Sequence, residues 1–478
     1  MTDRLQPYPA MRDSGVEWLG EVPKHWRALP NRAIFAEVKE SGHSDEKMLS
    51  VTISNGVIRQ DELLASSSKK DQSRIDRSMY KLVQPEEIVY NKMRAWQGAI
   101  GVSEYRGIVS PAYIVQRPLS SIYAQYAHHL FRTPAFAKEV ERCSYGITSD
   151  MWSLRPEDFK TICVCIPPLS EQTAIARFLD HINDQINRYI RAKEKLIALL
   201  EEQKQAIVHQ AVTGRIDVHT GRPYAAYKPS GIEWLGDVPA HWEVKRLRMT
   251  TSIVNGATPS TSREEYWDGE IIWLTPEDLG ALESRRITDS ARKITPKGLE
   301  SCGTSLVESN SIIISTRAPI GHLGILSSSG CSNQGCRLLV PDEDIDSEYL
   351  YSVLEAARSE LQSLGQGTTF AELSKTKLGN FRTPIPPLPE QNAIACYLDR
   401  KMKNIASSIT RSQRQIDLFH EYRTRLIADV VTGKLDVRSA AAELPVAEPV
   451  VDEDTIDAVQ GETGFRMTEE RMAVEESR

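Results

Sequence analysis

One fifteen-residue stretch occurs twice, and it limits what the chain can fold into more than any other feature. Ile166-Pro-Pro-Leu-Ser-Glu-Gln-Thr-Ala-Ile-Ala-Arg-Phe-Leu-Asp180 returns 219 residues later as Ile385-Pro-Pro-Leu-Pro-Glu-Gln-Asn-Ala-Ile-Ala-Cys-Tyr-Leu-Asp399. Proline has no N–H to give a strand or a helix interior, so each Pro-Pro pair stops an extended segment. Glu171 and Glu390 then fall in a first helical turn, where the helix dipole favours a carboxylate.

The same offset of 219 superimposes Leu179 on Leu398, Ile186 on Ile405, Ile190 on Ile409, Ile197 on Ile416 and Leu200 on Phe419. Ile207 falls on Leu426 and Ala211 on Val430. The steps of three, four and seven describe a coiled-coil seam over several heptads. Two seam positions are polar in both copies: Lys193 with Ser412, and Lys204 with Arg423. Both copies end alike, in Val-Thr-Gly-Arg-Ile-Asp-Val218 and Val-Thr-Gly-Lys-Leu-Asp-Val437, with Gly214 and Gly433 where a helix-ending glycine belongs. Each helix would run about 41 residues, or about 60 Å. Two such helices could each pack on a domain of their own. A single domain seldom needs that length, so the preferred expectation is an antiparallel pair acting as a spacer.

A second repeat precedes the first. Ser14-Gly-Val-Glu-Trp-Leu-Gly-Glu-Val-Pro-Lys-His-Trp26 recurs as Ser230-Gly-Ile-Glu-Trp-Leu-Gly-Asp-Val-Pro-Ala-His-Trp242, offset by 216. The chain is therefore a tandem duplication of entry motif, variable domain, Pro-Pro and long helix. The entry motif reads as a clip buried against the scaffold. Catalysis by His25 or His241 is not expected, because no carboxylate or nucleophile keeps a fixed spacing to it.

The expected division is 1–165 first domain, 166–213 first helix, 214–229 linker, 230–384 second domain, 385–437 second helix and 438–478 acidic disordered tail. Within the variable domains, 48–53, 87–90, 108–109 and 113–115 read as strands, as do 271–274, 311–315 and 336–340. Helices are expected near 121–142 and 346–363. Arg94 lines up with Arg317, Gly98 with Gly321 and Gly101 with Gly324, and Ser144-Tyr-Gly-Ile-Thr148 parallels Leu364-Gly-Gln-Gly-Thr368. The fold class is α+β: two mixed α/β domains separated by two long helices in an antiparallel coiled coil, with pseudo-two-fold symmetry.

The charge balance is −7, but residues 439–478 hold 11 acidic and 3 basic side chains, leaving about +1 for the rest. A nucleic-acid surface must then be a local concentration of charge. Seven scattered cysteines with no Cys-x-x-Cys fit free thiols in the cytosol. No run of 18 apolar residues suggests a membrane span, and Met1-Thr-Asp-Arg-Leu-Gln-Pro lacks a signal peptide's apolar core. Phosphate loop, nucleophile elbow, dinucleotide fingerprint and amino-methyltransferase motif are all missing. The adjacent His128 and His129 cannot share a helix face for a metal, and Asp342, Asp344 and Asp346 lack the glycine and glutamate of a calcium loop. Neither catalysis by the chain alone nor a metal in it is expected.

The duplicated motifs resemble the specificity subunit of type I restriction-modification enzymes. The carriers are Trp-Leu-Gly-x-Val-Pro-x-His-Trp, Ile-Pro-Pro-Leu-x-Glu-Gln and Val-Thr-Gly-[Lys/Arg]-[Ile/Leu]-Asp, and they span residues 14–437. The resemblance implies two target-recognition domains on double-stranded DNA, each reading half of a split, asymmetric site, with the helices as a ruler. It also implies two methyltransferase subunits docked on the helices, and restriction/translocase subunits that cut unmodified DNA in phage defence. S-adenosylmethionine, ATP and magnesium would sit on those partners and not on this chain. Partner binding is expected along Leu179, Ile186, Ile190, Ile197, Leu200, Leu398, Ile405, Ile409, Ile416 and Phe419.

Arg reads guanine and Asn or Gln reads adenine through paired hydrogen bonds. The base-reading candidates are therefore Lys92, Arg94 and Gln97 in the first domain, and Arg317, Asn333 and Gln334 in the second. Lys69, Lys70, Arg74 and Arg77 form one basic cluster for phosphate, and Arg285, Arg286, Arg292 and Lys293 another. Solvated surface charge is the plainer reading of each. A coiled-coil adaptor with two protein-binding heads is the competing reading of the whole.

Overall fold

The structure, a computed structural model, describes residues 5–61, 77–119, 121–147, 151–282, 284–365 and 372–445. Contacts divide the chain into two compact units: Met1–Ile190 with Asp417–Arg478, and Arg191–Ile416. The division runs through both long helices, so each unit holds a part of each.

The first long helix is Leu169–Val212 and the second Leu388–Val431, each 44 residues. Residues 385–387 and 432–437 fall outside the second helix, so it is shorter than the span 385–437 expected for it. Strands Cys163–Ile166 and Arg382–Ile385 run into the Pro-Pro pairs. They pair antiparallel with Arg27–Pro30 and Glu243–Arg246, the strands that leave the entry motifs. Each variable domain is thus closed at its neck by its own first and last strands.

The helices pair within each unit, and the pairing is antiparallel. In the first unit, Arg423 donates to Asn187 Oδ1 at 3.0 Å, and Tyr189 stacks on Phe419 with centroids 5.7 Å apart. In the second, Val208, Ala211 and Val212 share a core with Ile394 and Leu398. The polar seam position Arg423 therefore makes a specific hydrogen bond, and Ser412, the other polar seam position of the same helix, is buried. Gly214 and Gly433 end the helices at φ +71° and +78°, a region a β-carbon disfavours.

Two sheets show the duplication where sequence no longer does. The first unit has strands Phe35–Val38, Tyr113–Pro118, Ile88–Asn91 and Ile100–Val102 side by side, all antiparallel. The second has Thr251–Asn255, Cys336–Pro341, Ile312–Ser315 and Leu323–Leu326 in the same order, with Arg286–Ile287 added in parallel at the edge. Both also keep one parallel contact: Met48 with Ile108, and Trp267–Leu274 with Gly330–Ser332. The expected helix near 121–142 is two, Ala124–Phe131 and Pro134–Arg142. Thr133 caps the second of these and Pro134 opens it, which breaks the run. Likewise 346–363 splits into Ser347–Ala356 and Arg358–Ser363.

Two expectations are corrected here. Residues 214–229 are more than a linker, since Tyr227–Pro229 is a strand paired with Asp237–Pro239. The tail is ordered at its start. Asp436 N–H donates to Gln6 O at 2.8 Å, and Arg438–Ala442 forms a short helix. Residues 446–478 lie outside the described residues.

Candidate nucleic-acid interface

The Glu-Gln pair at each helix start holds the scaffold on which the loops sit. Glu171, 5% exposed, accepts from Tyr8 Oη at 2.5 Å and Trp26 Nε1 at 2.9 Å on one oxygen, and meets His25 Nε2 at 2.8 Å on the other. Glu390 accepts from Tyr224 Oη and meets His241 Nε2 at 2.9 Å. Burial first, and then the carboxylate, push both tyrosine hydroxyls well above their ordinary pKa. The two histidines do have carboxylate partners, but at no fixed spacing. The spacing differs, 146 residues against 149, because the clip repeats at 216 and the helix at 219.

Gln172 and Gln391 are fully buried and fully satisfied. Gln172 accepts from Tyr123 N–H at 2.7 Å and donates to Ser121 O and Pro167 O. Gln391 accepts from Asp346 N–H at 2.9 Å and donates to Asp344 O and Pro386 O. The signature glutamines thus pin the loop before each domain's helical pair. Pro23 and Trp26 cover Gly433, while Pro239 and Trp242 cover Gly214. A β-carbon on either glycine would lie 2.3 Å from a proline ring.

The aligned aspartates tie domain to helix by different means. Asp180 meets His129 Nε2 at 2.9 Å in the first unit. Asp399 accepts from Arg285 Nη2 at 2.7 Å in the second.

The base-reading candidates lie in equivalent loops. Lys92, Arg94 and Gln97 occupy the turn between Ile88–Asn91 and Ile100–Val102, around a one-turn helix Ala95–Gln97 that Gly98 ends at φ +94°. Arg94 and Gln97 are exposed, and Lys92 is half-buried. Arg317 sits in the matching turn of the second unit. Thr316 N–H and Arg317 N–H both donate to Gly335 O, which brings Arg317 beside Asn333 and Gln334. Asn333 Oδ1 accepts from Gly335 N–H at 2.9 Å, and Gln334 Oε1 from Thr258 Oγ1 at 2.6 Å. Glu372 faces Arg317 at 3.5 Å and Arg337 at 3.7 Å, two neighbours the sequence did not point to.

The second basic cluster is not a cluster in space. Arg285 pairs with Glu348 at 3.1 Å as well as with Asp399, and Arg286 pairs with Glu348 at 2.6 Å. Both arginines are thereby tied to carboxylates within the unit. Arg292 lies over the Trp267 ring at 3.6 Å, and Lys293 pairs with Asp289 at 3.0 Å. Arg77 is half-buried, and Lys69, Lys70 and Arg74 lie outside the described residues.

Of the seam residues offered for partners, Leu179, Ile186, Ile190, Leu398, Ile405 and Ile416 are buried within the chain, and Ile197, Leu200, Ile409 and Phe419 are half-buried. The six buried side chains have no area left for a partner, and the four half-buried ones keep some. The outward apolar residues of the two helices are Leu169, Tyr189, Leu418 and Tyr422 in one unit, and Leu196 and Leu199 in the other.

The model of the type I restriction modification DNA specificity domain matches residues 239–416. The MjaIX type I restriction enzyme specificity subunit of Methanocaldococcus jannaschii is 36% identical over 34% of this chain and 38% of its own length. The EcoR124I/EcoR124II specificity subunit of Escherichia coli is 28% identical over 40% of this chain and 46% of its own. Over these stretches the chain is similar to type I restriction enzyme specificity subunits. It spans less than half the length of these two curated relatives. One solved chain, from work on assembly of the type I R-M system, superimposes on 86% of this chain and 98% of its own with a TM-score of 0.67 at 17% identity. That likeness speaks for the fold. The matched stretch 239–416 takes in the last four residues of the second clip, the Arg317 loop and about two thirds of the second helix. Among the described residues, no group of three or more His, Cys, Asp or Glu is placed to hold a metal, and no helix is long and apolar enough to cross a membrane.

Proposed function

We propose that this chain reads DNA sequence for a type I restriction-modification complex, each unit recognising one half of a split, asymmetric site. The observation that carries this is one strand order in two units presenting differently furnished loops. Arg94 and Gln97 occupy the turn in one, and Arg317, Asn333 and Gln334 the matching end in the other. Different donors read different bases, so the two halves differ. At 1.5 Å per residue, 44-residue helices run about 66 Å, against roughly 34–36 Å for one DNA turn. The helix pair sets the spacing between the halves. Phosphate contacts come from Lys69, Lys70, Arg74, Arg77, Arg292 and Lys293. Methyltransferase subunits dock on the outward apolar residues of the helices and bring S-adenosylmethionine. Restriction/translocase subunits bring ATP and magnesium chemistry. The chain itself contributes recognition, in the cytoplasm.

The test is a modification map. The chain is co-expressed with its methyltransferase subunit in a methylation-free host, and modified adenines are read across the genome. One split, asymmetric motif is expected, and exchanging residues 27–165 should change one half of it only. Arg94→Ala and Arg317→Ala should each weaken a different half by roughly 10- to 100-fold, the worth of one paired base contact. Co-purification of the two proteins without any motif would overturn the reading.

A further inference from the structure

The first unit holds a polar cavity of about 500 Å³ that the functional reading has not used. It lies where the turn at residues 54–55, the start of the helix Pro134–Arg142 and both long helices meet, and Arg132, Asn183, Asn187 and Arg423 line it. Its two arginines have no acid. Arg132 Nη1 donates to Ile100 O at 3.0 Å, and its Nη2 to Ile53 O at 3.0 Å and to Ser54 O. Arg423 Nη1 donates to Asn187 Oδ1, and its Nη2 meets His420 Nδ1 at 2.8 Å. These bonds use at most three of the five N–H groups on Arg132 and two of those on Arg423. Neither arginine forms an ion pair among the described residues, and no Asp or Glu lines the cavity. The carboxylate of Asp180 is taken by His129. Burial pulls the Arg132 guanidinium below its ordinary pKa, with no carboxylate beside it to hold it up. A charge drawn partly out of water is ordinarily met by an opposite one.

The equivalent place in the second unit shows what is missing. Tyr126 and Tyr349 donate to the aligned carbonyls Cys165 O and Pro384 O, which puts the two domain helices in register. In that register Glu355 stands where Arg132 does, and by the helix offset of 219 Lys204 stands where Arg423 does. Both line a cavity of about 600 Å³, and Asp399 lines it too. Asp399 accepts from Arg285 Nη2 at 2.7 Å and from Lys403 Nζ at 2.8 Å. The second cavity therefore holds carboxylates of its own, whereas the first has the arginines alone.

We propose that the cavity of the first unit is a phosphate-binding site, in which Arg132 and Arg423 supply the charge and Asn183 and Asn187 further hydrogen bonds. Arginine presents paired N–H groups to oxyanions. Asn187 gives its Oδ1 to Arg423 and keeps its amide N–H groups to donate. Donors converging from three elements suit the tetrahedral oxygens of phosphate better than the flat pair of a carboxylate. Arg132 belongs to the domain and Arg423 to the long helix. A phosphate held by both ties domain to scaffold, as the pair of Arg285 and Asp399 does in the second unit. Two sources carry this chemistry, free phosphate ions and the DNA backbone. The first is independent of the DNA-reading function, and the second rests on it.

The test titrates inorganic phosphate into the full chain by calorimetry, at constant ionic strength with chloride as the balancing ion. Wild type should bind phosphate saturably. Arg423→Gln should weaken binding roughly 10- to 100-fold, the worth of a hydrogen bond to a charged group. Arg358→Gln, in the second cavity, should leave it unchanged. Melting in chloride shows whether the variants are folded. Should Arg423→Gln fold poorly, Asn183→Ala decides instead, with an expected loss of about fivefold or more. The source is read from DNA affinity of wild type and Arg423→Gln over a range of salt, in phosphate-free buffer. If DNA supplies the group, the salt slope of the variant is shallower by about one and saturating duplex displaces free phosphate. If free phosphate is the ligand, both proteins bind DNA alike. The proposal is overturned if free phosphate shows no saturable binding while both proteins share one DNA affinity and salt slope. It is overturned equally if folded Arg423→Gln and Asn183→Ala bind phosphate as wild type does. Failure of the reader function appears separately, as absence of site-specific binding by the methyltransferase-bound wild type, and leaves the free-phosphate result standing.

Discussion

The two units carry the same clip but do not satisfy it equally. In the first, Trp26 Nε1 donates to Glu171, and Trp18 Nε1 donates to Cys163 O at 3.1 Å. In the second, the indole nitrogens of Trp242 and Trp234 are buried with no hydrogen-bond partner in the protein. Trp234 lies flat on Phe381 instead, with centroids 5.9 Å apart. The anchoring carboxylates follow suit, the Glu171 side chain being 5% exposed and that of Glu390 15%. Duplication has preserved topology and packing while the polar partners have drifted. Packing tolerates exchange of one apolar ring for another, whereas a lost acceptor leaves a donor stranded.

The sharpest test of this asymmetry is removal of the two carboxylates. Glu171→Ala strands three donors, two of them in buried surroundings, and should cost roughly 3–4 kcal/mol at about 1–3 kcal/mol per stranded group. Glu390→Ala should cost about half as much. Hydrogen exchange at residues 8–26 and 224–242 reports each clip separately, and equal loosening of the two would end the comparison.

Acid should divide the units next. His128 is half-buried, with His129 and Arg132 beside it, and desolvation first and those neighbours second hold its pKa down to about 3. Its Nδ1 accepts from Val102 N–H at 3.2 Å, which needs the neutral ring. The unfolded chain binds that proton near pH 6.5, so the contribution is complete above about pH 6.5 and is lost as pH falls toward 3. At pH 5 the loss is about 2 kcal/mol. The second unit has Tyr351 at the corresponding helix position and no such loss through it. Denaturant unfolding at pH 7.5 and pH 5, with and without His128→Gln, checks this, and a variant that keeps the full acid sensitivity would contradict it.

The smallest expected difference is between the two deeper indoles. Trp26→Phe gives up a hydrogen bond to a charged acceptor and should cost about 2 kcal/mol. Trp242→Phe gives up none and should cost about 1 kcal/mol or less, from packing alone. Melting of the two variants under one condition decides it.

The signatures were legible in the sequence before their purpose was. Glu171 and Glu390 stood out as first-turn acids, a position that helix electrostatics already explains. Their work as acceptors depends on Tyr8 and Tyr224, which repeat at the clip's offset of 216 just upstream of the quoted motif. Comparing the two offsets would have found the His25 and His241 partners as well. The loop alignment of Arg94 with Arg317 could be drawn because Gly98 and Gly321 both need positive φ, at +94° and +89°. The fate of Arg285 could not be read in this way, since Asp399 lies 114 residues away.

The sequence by itself determined the duplication, the two long helices with their seam, and the proline and glycine points at which they start and stop. Those properties follow from period, ring closure and φ preference, all of which act within a few residues. Only the tertiary structure decided which charges stay free. It drew Arg285 and Arg286 into carboxylates, left Arg94 exposed and buried six of the seam side chains inside the chain. Whether a charge or an apolar side chain is free depends on what the fold brings within about 4 Å of it, and spacing along the chain does not encode that distance.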